Sequence, residues 1–237
     1  MHVRAVKTRV FKEADDLAEF IVRAIPKLKN GSVLAVTSKI VALAECRTAD
    51  PKDKEKLIKK ESTWQLQAKW GKITLKDGIL MWNAGIDTSN AAGKIVLLPK
   101  DSFKAAARIC AQLKKHYRIK NLGILITDSR IMPLRAGVVG IALGYAGFKG
   151  LKDYRGKKDL FGEKYQVTRT DIADSLATAA VLEMGEGNEQ TPIAVIEDVE
   201  DIAFNDVDYT QENPLIMDKE RDIYAPLIKF VPWQKNR

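Results

Sequence analysis

The alternation of apolar and polar residues predicts a helix and then a strand in the first part of the chain. Between residues 13 and 25, apolar side chains recur with the 3.6-residue period of a helix, and Asp15 and Asp16 suit its first turn. A turn at residues 30–31 precedes a β-rich run at residues 33–36. The pattern therefore predicts an amphipathic helix followed by a short buried strand.

The middle and later parts of the chain carry longer patterns. Residues 101–117 predict a helix that Asp101 caps and that ends in basic residues, which complement the helix dipole. Residues 121–128 predict a buried strand, and residues 171–184 predict a helix with a glycine stop. The apolar run 135–147 fits either a helix or a strand, but its glycines indicate close backbone packing.

Short strand candidates outnumber helices, which favours a mixed α/β fold of the α+β type. The remaining strand candidates are residues 78–85, 94–99, 164–170 and 191–198. No internal repeat or linker is visible, so we expect a single domain over residues 1–237, with two interwoven lobes as the alternative. The tail after residue 198 is irregular, and residues 224–233 are expected to dock on the body.

Charge adds a preference for anionic partners. The net charge is +8 and the pI is near 9.3, a balance that suits nucleic acid, acidic lipid, nucleotides or small polyanions. Many lysines lie in residues 52–62 and 111–120, where the pattern is also typical of the solvated faces of helices.

Composition excludes several kinds of chemistry. With only His2 and His116, and with Cys46 and Cys110 far apart, neither His-dependent nucleophiles nor a thiolate zinc site is expected. The Gly-Lys pair within residues 91–96 lacks the spacing of a P-loop. No apolar run reaches membrane-spanning length and no signal segment is visible, so we expect a cytoplasmic protein.

Two acids stand out because each ends an apolar strand candidate among hydroxyl or amide side chains. Asp87 lies in "GIDTSN" and Asp128 in "LITDS". Two carboxylates about 4 Å apart repel by roughly 4 kcal/mol at an effective dielectric near 20. Mg²⁺ or Mn²⁺, which prefers oxygen ligands, would remove that repulsion. Alternatively, each acid simply caps a turn or a helix.

A third segment, "DYRGKKDLFGEK" at residues 153–164, is rich in glycine and charge. It fits an ordinary exposed loop, but Arg155 and its two lysines would also suit phosphate groups. The pattern alone does not decide between these two interpretations.

Taken together, several segments resemble the γ-glutamyl ligase family that adds glutamate to the precursor of the deazaflavin coenzyme F420. The matching segments span residues 15–198 and include "DDLAEFI", "TSKIVALAE", "NAGIDTSN", "LITDS", "DYRGKKDLFG" and "DIADSLATAAVLEMGEGNEQTPIAVIED". The resemblance implies a GTP-dependent ligase with two divalent metal ions, Mg²⁺ or Mn²⁺, acting as a homodimer. It also implies a fold of the family's own type, neither P-loop nor ATP-grasp.

The resemblance assigns roles residue by residue. The implied metal ligands are Asp87, Asp128, Ser129 and Glu186. The implied nucleotide contacts are Ser38, Lys39 and Asn90. Separately from the resemblance, we take Arg135 and Arg155 as the candidate catalytic residues, because their guanidinium groups would suit carboxylates or phosphates of the reactants.

This sequence also departs from the family pattern. Leu43 replaces a lysine, Ser129 replaces the usual threonine, and Glu186 lies where the family often has glutamine. The stretch after Ser129 keeps Pro133 and Arg135 but loses a phenylalanine, a glycine and a tryptophan. The implied reaction joins L-glutamate to the F420 precursor through an acyl phosphate, with folate or another glutamyl-ended acceptor as the alternative.

Two further hypotheses of other classes stay open at this point. A basic nucleic-acid-binding module would explain the pI, although interleaved aromatic residues and known binding motifs are missing. A degenerate family member that binds nucleotide without turnover would explain the loss of the lysine at Leu43.

Overall fold

The computed structural model describes residues 1–200, 202–210 and 213–236. Residues 201, 211 and 212 of the predicted irregular tail, and residue 237, lie outside the described residues. The helices are α1 (Leu17–Ala24), α2 (Ser38–Ala44), α3 (Lys54–Glu61), α4 (Ser102–Tyr117), α5 (Ile172–Met184) and α6 (Ala225–Lys229). Short 3-10 turns lie at Pro51–Asp53 and Asn83–Gly85.

The strands lie before, between and after these helices. They are β1 (His2–Val6), β2 (Ser32–Thr37), β3 (Thr48–Ala49), β4 (Trp64–Ala68), β5 (Gly71–Lys76), β6 (Ile79–Trp82), β7 (Ile95–Val96), β8 (Leu122–Ile131), β9 (Val138–Ala146), β10 (Leu151–Asp153), β11 (Arg169–Asp171), β12 (Ile193–Glu197) and β13 (Gln234–Lys235). Within two groups, β4 to β6 and β8 to β11, the strands follow one another directly. The expected mixed α/β fold is confirmed. The exclusion of P-loop and ATP-grasp folds stays a prediction.

The central sheet has the strand order β1-β12-β2-β8-β9. Strands β2 and β8 run parallel, and the other neighbours are antiparallel. Along β2, Leu34 and Val36 join one core cluster while Val33 and Ala35 join another, as the two-residue period of a strand requires. The sheet is therefore buried on both faces.

Helices cover the two faces of this sheet. Apolar side chains of α1, α2 and α4 share one core cluster with the sheet, and those of α5 share the other. The result is a three-layer arrangement with the sheet in the middle. No helix in the described ranges is long and apolar enough to span a membrane.

A smaller antiparallel sheet, β13-β4-β5-β6, packs beside β9. Leu98, Ile141 and Leu143 form the contact, with Ile79 and Met81 of β6 against them. The tail reaches this sheet because β13 pairs with β4. The region of residues 78–99 is thereby held next to the edge of the central sheet.

Some predicted elements differ from the structure. The first helix begins at Leu17 because the Asp16 carboxylate caps it, accepting the Glu19 N–H at 2.8 Å. Of the strand predicted at residues 164–170, only Arg169 and Thr170 lie in a strand, β11. The helix after residue 101 agrees, with Asp101 as its N-cap.

The undecided segment 135–147 contains strand β9, and its glycines pack as expected. A Cβ on Gly140 would lie 2.4 Å from the carbonyl oxygen of Ala177 in α5. A Cβ on Gly144 would lie 2.5 Å from the backbone of Ser102 in α4. These two glycines let helices on both sides approach the sheet closely.

Candidate active site

The parallel pair β2 and β8 brings two predicted site residues together. Thr37, the last residue of β2, is paired in register with Thr127 of β8. The chain then enters α2 at Ser38 and continues along β8 to Asp128. Because the carboxyl ends of parallel strands lie at the same edge, the Ser38 hydroxyl lies close enough to the Asp128 carboxylate to act on it.

A β-bulge marks this point of the sheet. The register of β8 against β9 shifts between Ile126 and Thr127, immediately before Asp128. A bulge redirects the side chains that follow it, and bulges are frequent next to functional sites. Asp128 and Ser129 thus leave the regular alternation at the position where the cleft opens.

Asp87 reaches the same cleft from the segment after β6. Its backbone N–H and C=O both pair with Val96 at 2.9 Å, which fixes its position. Its carboxylate accepts the Ser89 N–H at 2.7 Å and the Ser89 hydroxyl at 3.0 Å, and lies 2.7 Å from the Lys39 ammonium. Burial would raise the pKa of Asp87, but Lys39 and Ser89 outweigh burial and lower it.

Glu186 enters from the loop that follows α5. The helix ends at Met184 with Gly185 as its C-cap, and the Glu186 carboxylate that follows lies close to the Ser129 hydroxyl. Burial raises the pKa of Glu186, and the charges of Asp87 and Glu189 add to that shift, against the Ser129 hydrogen bond and Lys39. Glu186 therefore faces the same acidic space as Asp87.

The loop of residues 185–192 is tied to neighbouring segments. The Asn90 side-chain amide donates to the Gly187 carbonyl at 2.9 Å. From the other side, Lys7 donates to the Glu189 carbonyl at 2.6 Å, and the Thr8 N–H donates to the Gln190 carbonyl. The loop thus forms one wall of the cleft.

The cleft has a volume of about 380 Å³. All seven residues implied as metal or nucleotide contacts line it: Ser38, Lys39, Asp87, Asn90, Asp128, Ser129 and Glu186. They come from four separate parts of the chain. Their convergence makes this cleft the candidate active site.

Asp128 has the most perturbed carboxyl group of the cleft. Its enclosure by protein atoms is the main cause that raises its pKa to about 7, and the charges of Asp87 and Glu186 raise it further. Hydrogen bonds from the Ser129 N–H and the Ser38 hydroxyl act in the opposite direction. Among the residues that the structure describes, Asp128 forms no ion pair, whereas Asp87 pairs with Lys39.

The oxygen donors of the cleft are of the chemical types that a hard divalent cation binds. Three carboxylates and a hydroxyl supply oxygen ligands, and a cation would relieve the mutual repulsion of the acids. Among the residues that the structure describes, no three His, Cys, Asp or Glu side chains are already arranged as a metal-binding group. Ligation would therefore require the side chains to move together.

The two arginines predicted as catalytic lie elsewhere. Neither is among the described residues that line the cleft. Arg155 forms an exposed ion pair with Asp153, with a shortest N–O distance of 2.6 Å. Arg135 is exposed in the turn between β8 and β9, where its N–H donates to Met132. Their catalytic role stays a prediction.

The residues that depart from the family pattern after Ser129 also lie outside the lining. Arg130 is partly buried and near Asp174 of α5, and burial lowers its pKa. Ile131, Met132 and Leu134 are exposed. These substitutions change the surface beside the cleft and leave its walls intact.

Sequence reasoning missed part of the lining. Arg9, Phe11 and Leu98 contribute to the cleft, together with residues 189–192. Residues 189–192 belong to a segment that resembles the family, but no local feature marks them or the other three residues as lining a cleft. The pairing of distant segments brings them there. The link from Thr8 to Gln190 is such a pairing.

Comparisons with known proteins give one consistent result. Residues 50–198 match the family model F420-0:Gamma-glutamyl ligase. The chain is 32% identical to the coenzyme F420:L-glutamate ligase of Methanopyrus kandleri over 209 residues, which cover 79% of this chain and 82% of the relative. The corresponding ligase of Archaeoglobus fulgidus is 33% identical over 79% of this chain and 83% of the relative. That of Methanocaldococcus jannaschii is 32% identical over 90% and 85%.

Proposed function

The chain belongs to the F420-0:gamma-glutamyl ligase family, and on this premise we propose that it joins L-glutamate to the coenzyme F420 precursor. The observation that carries the proposal is the convergence of Asp87, Asp128 and Glu186 on one cleft beside Ser38 and Lys39. Family membership favours an amide-forming ligase over a nucleic-acid-binding module. The chemistry of the cleft supports the same choice, since it is rich in carboxylates.

The proposal includes two divalent metal ions, Mg²⁺ or Mn²⁺, for which Asp87, Asp128, Ser129 and Glu186 are the candidate ligands. Such ions would neutralise charge that develops on transferring phosphates. Asp128 supports this assignment because its carboxyl is enclosed by protein atoms and forms no ion pair within the described part of the chain. Ser129 supports it because its hydroxyl lies beside Glu186 in the lining of the same cleft.

GTP is the proposed nucleotide. Ser38 and Lys39 begin α2 at the cleft, and Asn90 bridges to the loop of residues 185–192. Their hydroxyl, ammonium and amide groups are suitable donors for phosphate oxygens. The loop backbone would bind the remainder of the nucleotide along its wall.

The proposed reaction has two steps. A carboxylate oxygen of the acceptor attacks the γ-phosphorus of GTP, GDP leaves, and an acyl phosphate forms. The amine of L-glutamate then attacks the acyl carbon, phosphate leaves with the C–O bonding electrons, and the amine loses a proton. Neither step needs a histidine or a covalent enzyme intermediate, which agrees with the two histidines of this chain, His2 and His116.

The active form is proposed to be a homodimer. Apolar side chains at the turn between β8 and β9 are exposed, among them Ile131 and Leu134. Such a patch suits a subunit contact. A catalytic role for Arg135 or Arg155 would require a rearrangement or a second subunit, since neither lines the cleft of its own chain.

The acceptor is tested by one incubation with GTP, Mn²⁺ and L-glutamate, repeated with the F420 precursor and with folate. Mass spectrometry reads the addition of a glutamyl unit. We expect extension of the F420 precursor. Extension of folate alone would replace the acceptor in the proposal, and extension of neither would contradict the proposed ligase activity on these two compounds.

A further inference from the structure

Lys39 holds the carboxylate of Asp87 with an ammonium group that is surrounded by oxygen atoms. The Nζ atom lies 2.7 Å from Asp87 Oδ2, 2.9 Å from the Ser89 carbonyl oxygen and 3.2 Å from the Ser89 hydroxyl. An ammonium has three N–H donors, so these three oxygens satisfy it fully. Carboxylate, carbonyl and hydroxyl oxygens are also the ligands that a hard divalent cation takes.

The pocket around this ammonium is preformed. Ser89 donates both its N–H and its hydroxyl to the Asp87 carboxylate, at 2.7 and 3.0 Å. The backbone of Asp87 is fixed by its two hydrogen bonds with Val96. The oxygen cluster would therefore keep its shape if the ammonium left.

Lys39 is also the basic side chain that interacts with acids of the cleft. Of the two basic side chains in the described lining, Arg9 pairs with Asp15, whereas Lys39 pairs with Asp87. The Lys39 charge also acts on Glu186. A divalent cation arriving among these acids would compete with this ammonium for Asp87.

The lysine is able to leave. Its backbone is fixed in the first turn of α2, but its four-carbon stem is flexible and its side chain is 23% exposed. Asp87 is 42% exposed, so the ion pair lies at the open side of the cleft. Movement of the ammonium requires no change in the backbone.

We propose that Lys39 occupies the cation position at Asp87 in the metal-free cleft and is exchanged for the divalent ion when that ion binds. The released ammonium then points into the cleft, where it is available to an anionic group of the nucleotide. This inference rests on the proposed metal site, and it assigns Lys39 a role that depends on whether metal is present. It also accounts for the lack of a preassembled three-acid group among the described residues.

The test is calorimetric titration of Mn²⁺, without nucleotide, into the wild type and Lys39→Met. Methionine keeps an unbranched stem and removes the charge. We expect Lys39→Met to bind Mn²⁺ about fivefold more tightly, because a partly exposed ion pair no longer competes. Arg9→Met is the matched control, since it removes a charge from the same cleft without freeing Asp87, and its affinity should stay near that of the wild type.

The outcomes separate this inference from the metal site itself. If Arg9→Met and Lys39→Met bind Mn²⁺ more tightly than the wild type by the same factor, general repulsion between the cation and basic side chains explains the gain. That result would overturn the exchange. Mn²⁺ binding to the wild type with no gain in Lys39→Met would also overturn the exchange but leave the metal site standing. If neither the wild type nor Lys39→Met binds Mn²⁺, the exchange and the proposed metal site are both overturned.

A second measurement applies to the wild type and so does not depend on the folding of Lys39→Met. In protein labelled with ¹⁵N-lysine, the Nζ resonance of Lys39 is assigned by its loss in Lys39→Arg. Addition of Mg²⁺ should shift this resonance, while that of Lys114, paired with Asp206 far along the chain, should stay in place. An unmoved Lys39 resonance at saturating Mg²⁺ would contradict the exchange.

Discussion

Asp87 and Asp128 have the same side chain, yet their surroundings shift their pKa values in opposite directions. Lys39 and Ser89 outweigh burial at Asp87, whereas burial dominates at Asp128 and raises its pKa to about 7. The sequence predicted that both acids end strands among polar neighbours. It could not predict the difference between them, because Lys39 lies 48 positions before Asp87 and meets it only in the folded chain.

A stability prediction concerns Glu61, which is almost buried between Arg47 and Lys76. Burial would raise the pKa of Glu61, but the two bases lower it below its unfolded value. Its contribution is therefore present above the unfolded pKa of about 4.3 and lost as the pH falls through the folded pKa. We expect Glu61→Gln to cost about 2 kcal/mol at pH 7, since it leaves the buried Lys76 with only the exposed carboxylate of Asp77 as an ion-pair partner.

Urea denaturation at several pH values checks this prediction. The difference between Glu61→Gln and the wild type should shrink below about pH 4. Glu55→Gln, on the same helix, is the control. The Glu55 carboxylate, which pairs with Lys72, is exposed, so its loss should cost less than about 0.5 kcal/mol. A pH-independent difference would show that the ion pairs are not its cause.

At the scale of elements, β8 and β9 show what local pattern can and cannot predict. Residues 121–128 were predicted as a strand because their apolar run is continuous, and β8 confirms it. Residues 135–147 stayed undecided, since small residues and glycines carry no clear period. Tertiary packing resolved the choice: Gly140 and Gly144 permit close approach of α5 and α4 only within a strand paired to β8.

The close approach predicts a large effect of Gly140→Ala. The new methyl group would lie 2.4 Å from the Ala177 carbonyl oxygen and 2.7 Å from Val181 Cγ2. We expect a loss of about 2–3 kcal/mol in the free energy of unfolding, typical of overpacking against backbone. Val139→Ala, at a more exposed position of the same strand, should cost less than about 1 kcal/mol in the same denaturant titration. Similar losses for the two variants would contradict the packing argument.

At the scale of the whole molecule, the cleft is assembled from segments that no local pattern relates to one another. Ser38, Asp87, Asp128 and Glu186 reach it from four elements or loops. Physical reasoning from the sequence identified the two strand-end acids as a pair of interest. The other members were found through the family resemblance, whereas the lining by Arg9 and residues 189–192 required the fold.

The proposed nucleotide binding would be a property of this assembled cleft, and it predicts a shift in melting temperature. With Mn²⁺ and GTP at about 100 times its Kd, the stabilisation is about 2.7 kcal/mol, or roughly 5–10 °C for a chain of this size. ATP, GDP and ADP in the same thermal-shift panel should give smaller shifts. Leu43→Lys, which restores the family's lysine in the cleft wall, should enlarge the GTP shift.

The same panel of nucleotides also tests whether the chain is a degenerate family member. No shift with any nucleotide would contradict nucleotide binding altogether. A GTP shift without glutamate ligation would instead favour a family member that binds and does not turn over.

The most direct measurement compares the wild type and Asp128→Asn in the ligation reaction itself. Asparagine keeps the size of Asp128 and removes the charge, and thermal unfolding establishes that the variant is folded. With GTP, Mn²⁺, L-glutamate and the F420 precursor, mass spectrometry should show addition of a glutamyl unit by the wild type. The rate should fall by at least about a hundredfold in Asp128→Asn, because a ligand of the proposed metal site is lost. Equal rates for the two proteins, or no glutamyl addition by the wild type, would contradict glutamate ligation in this cleft.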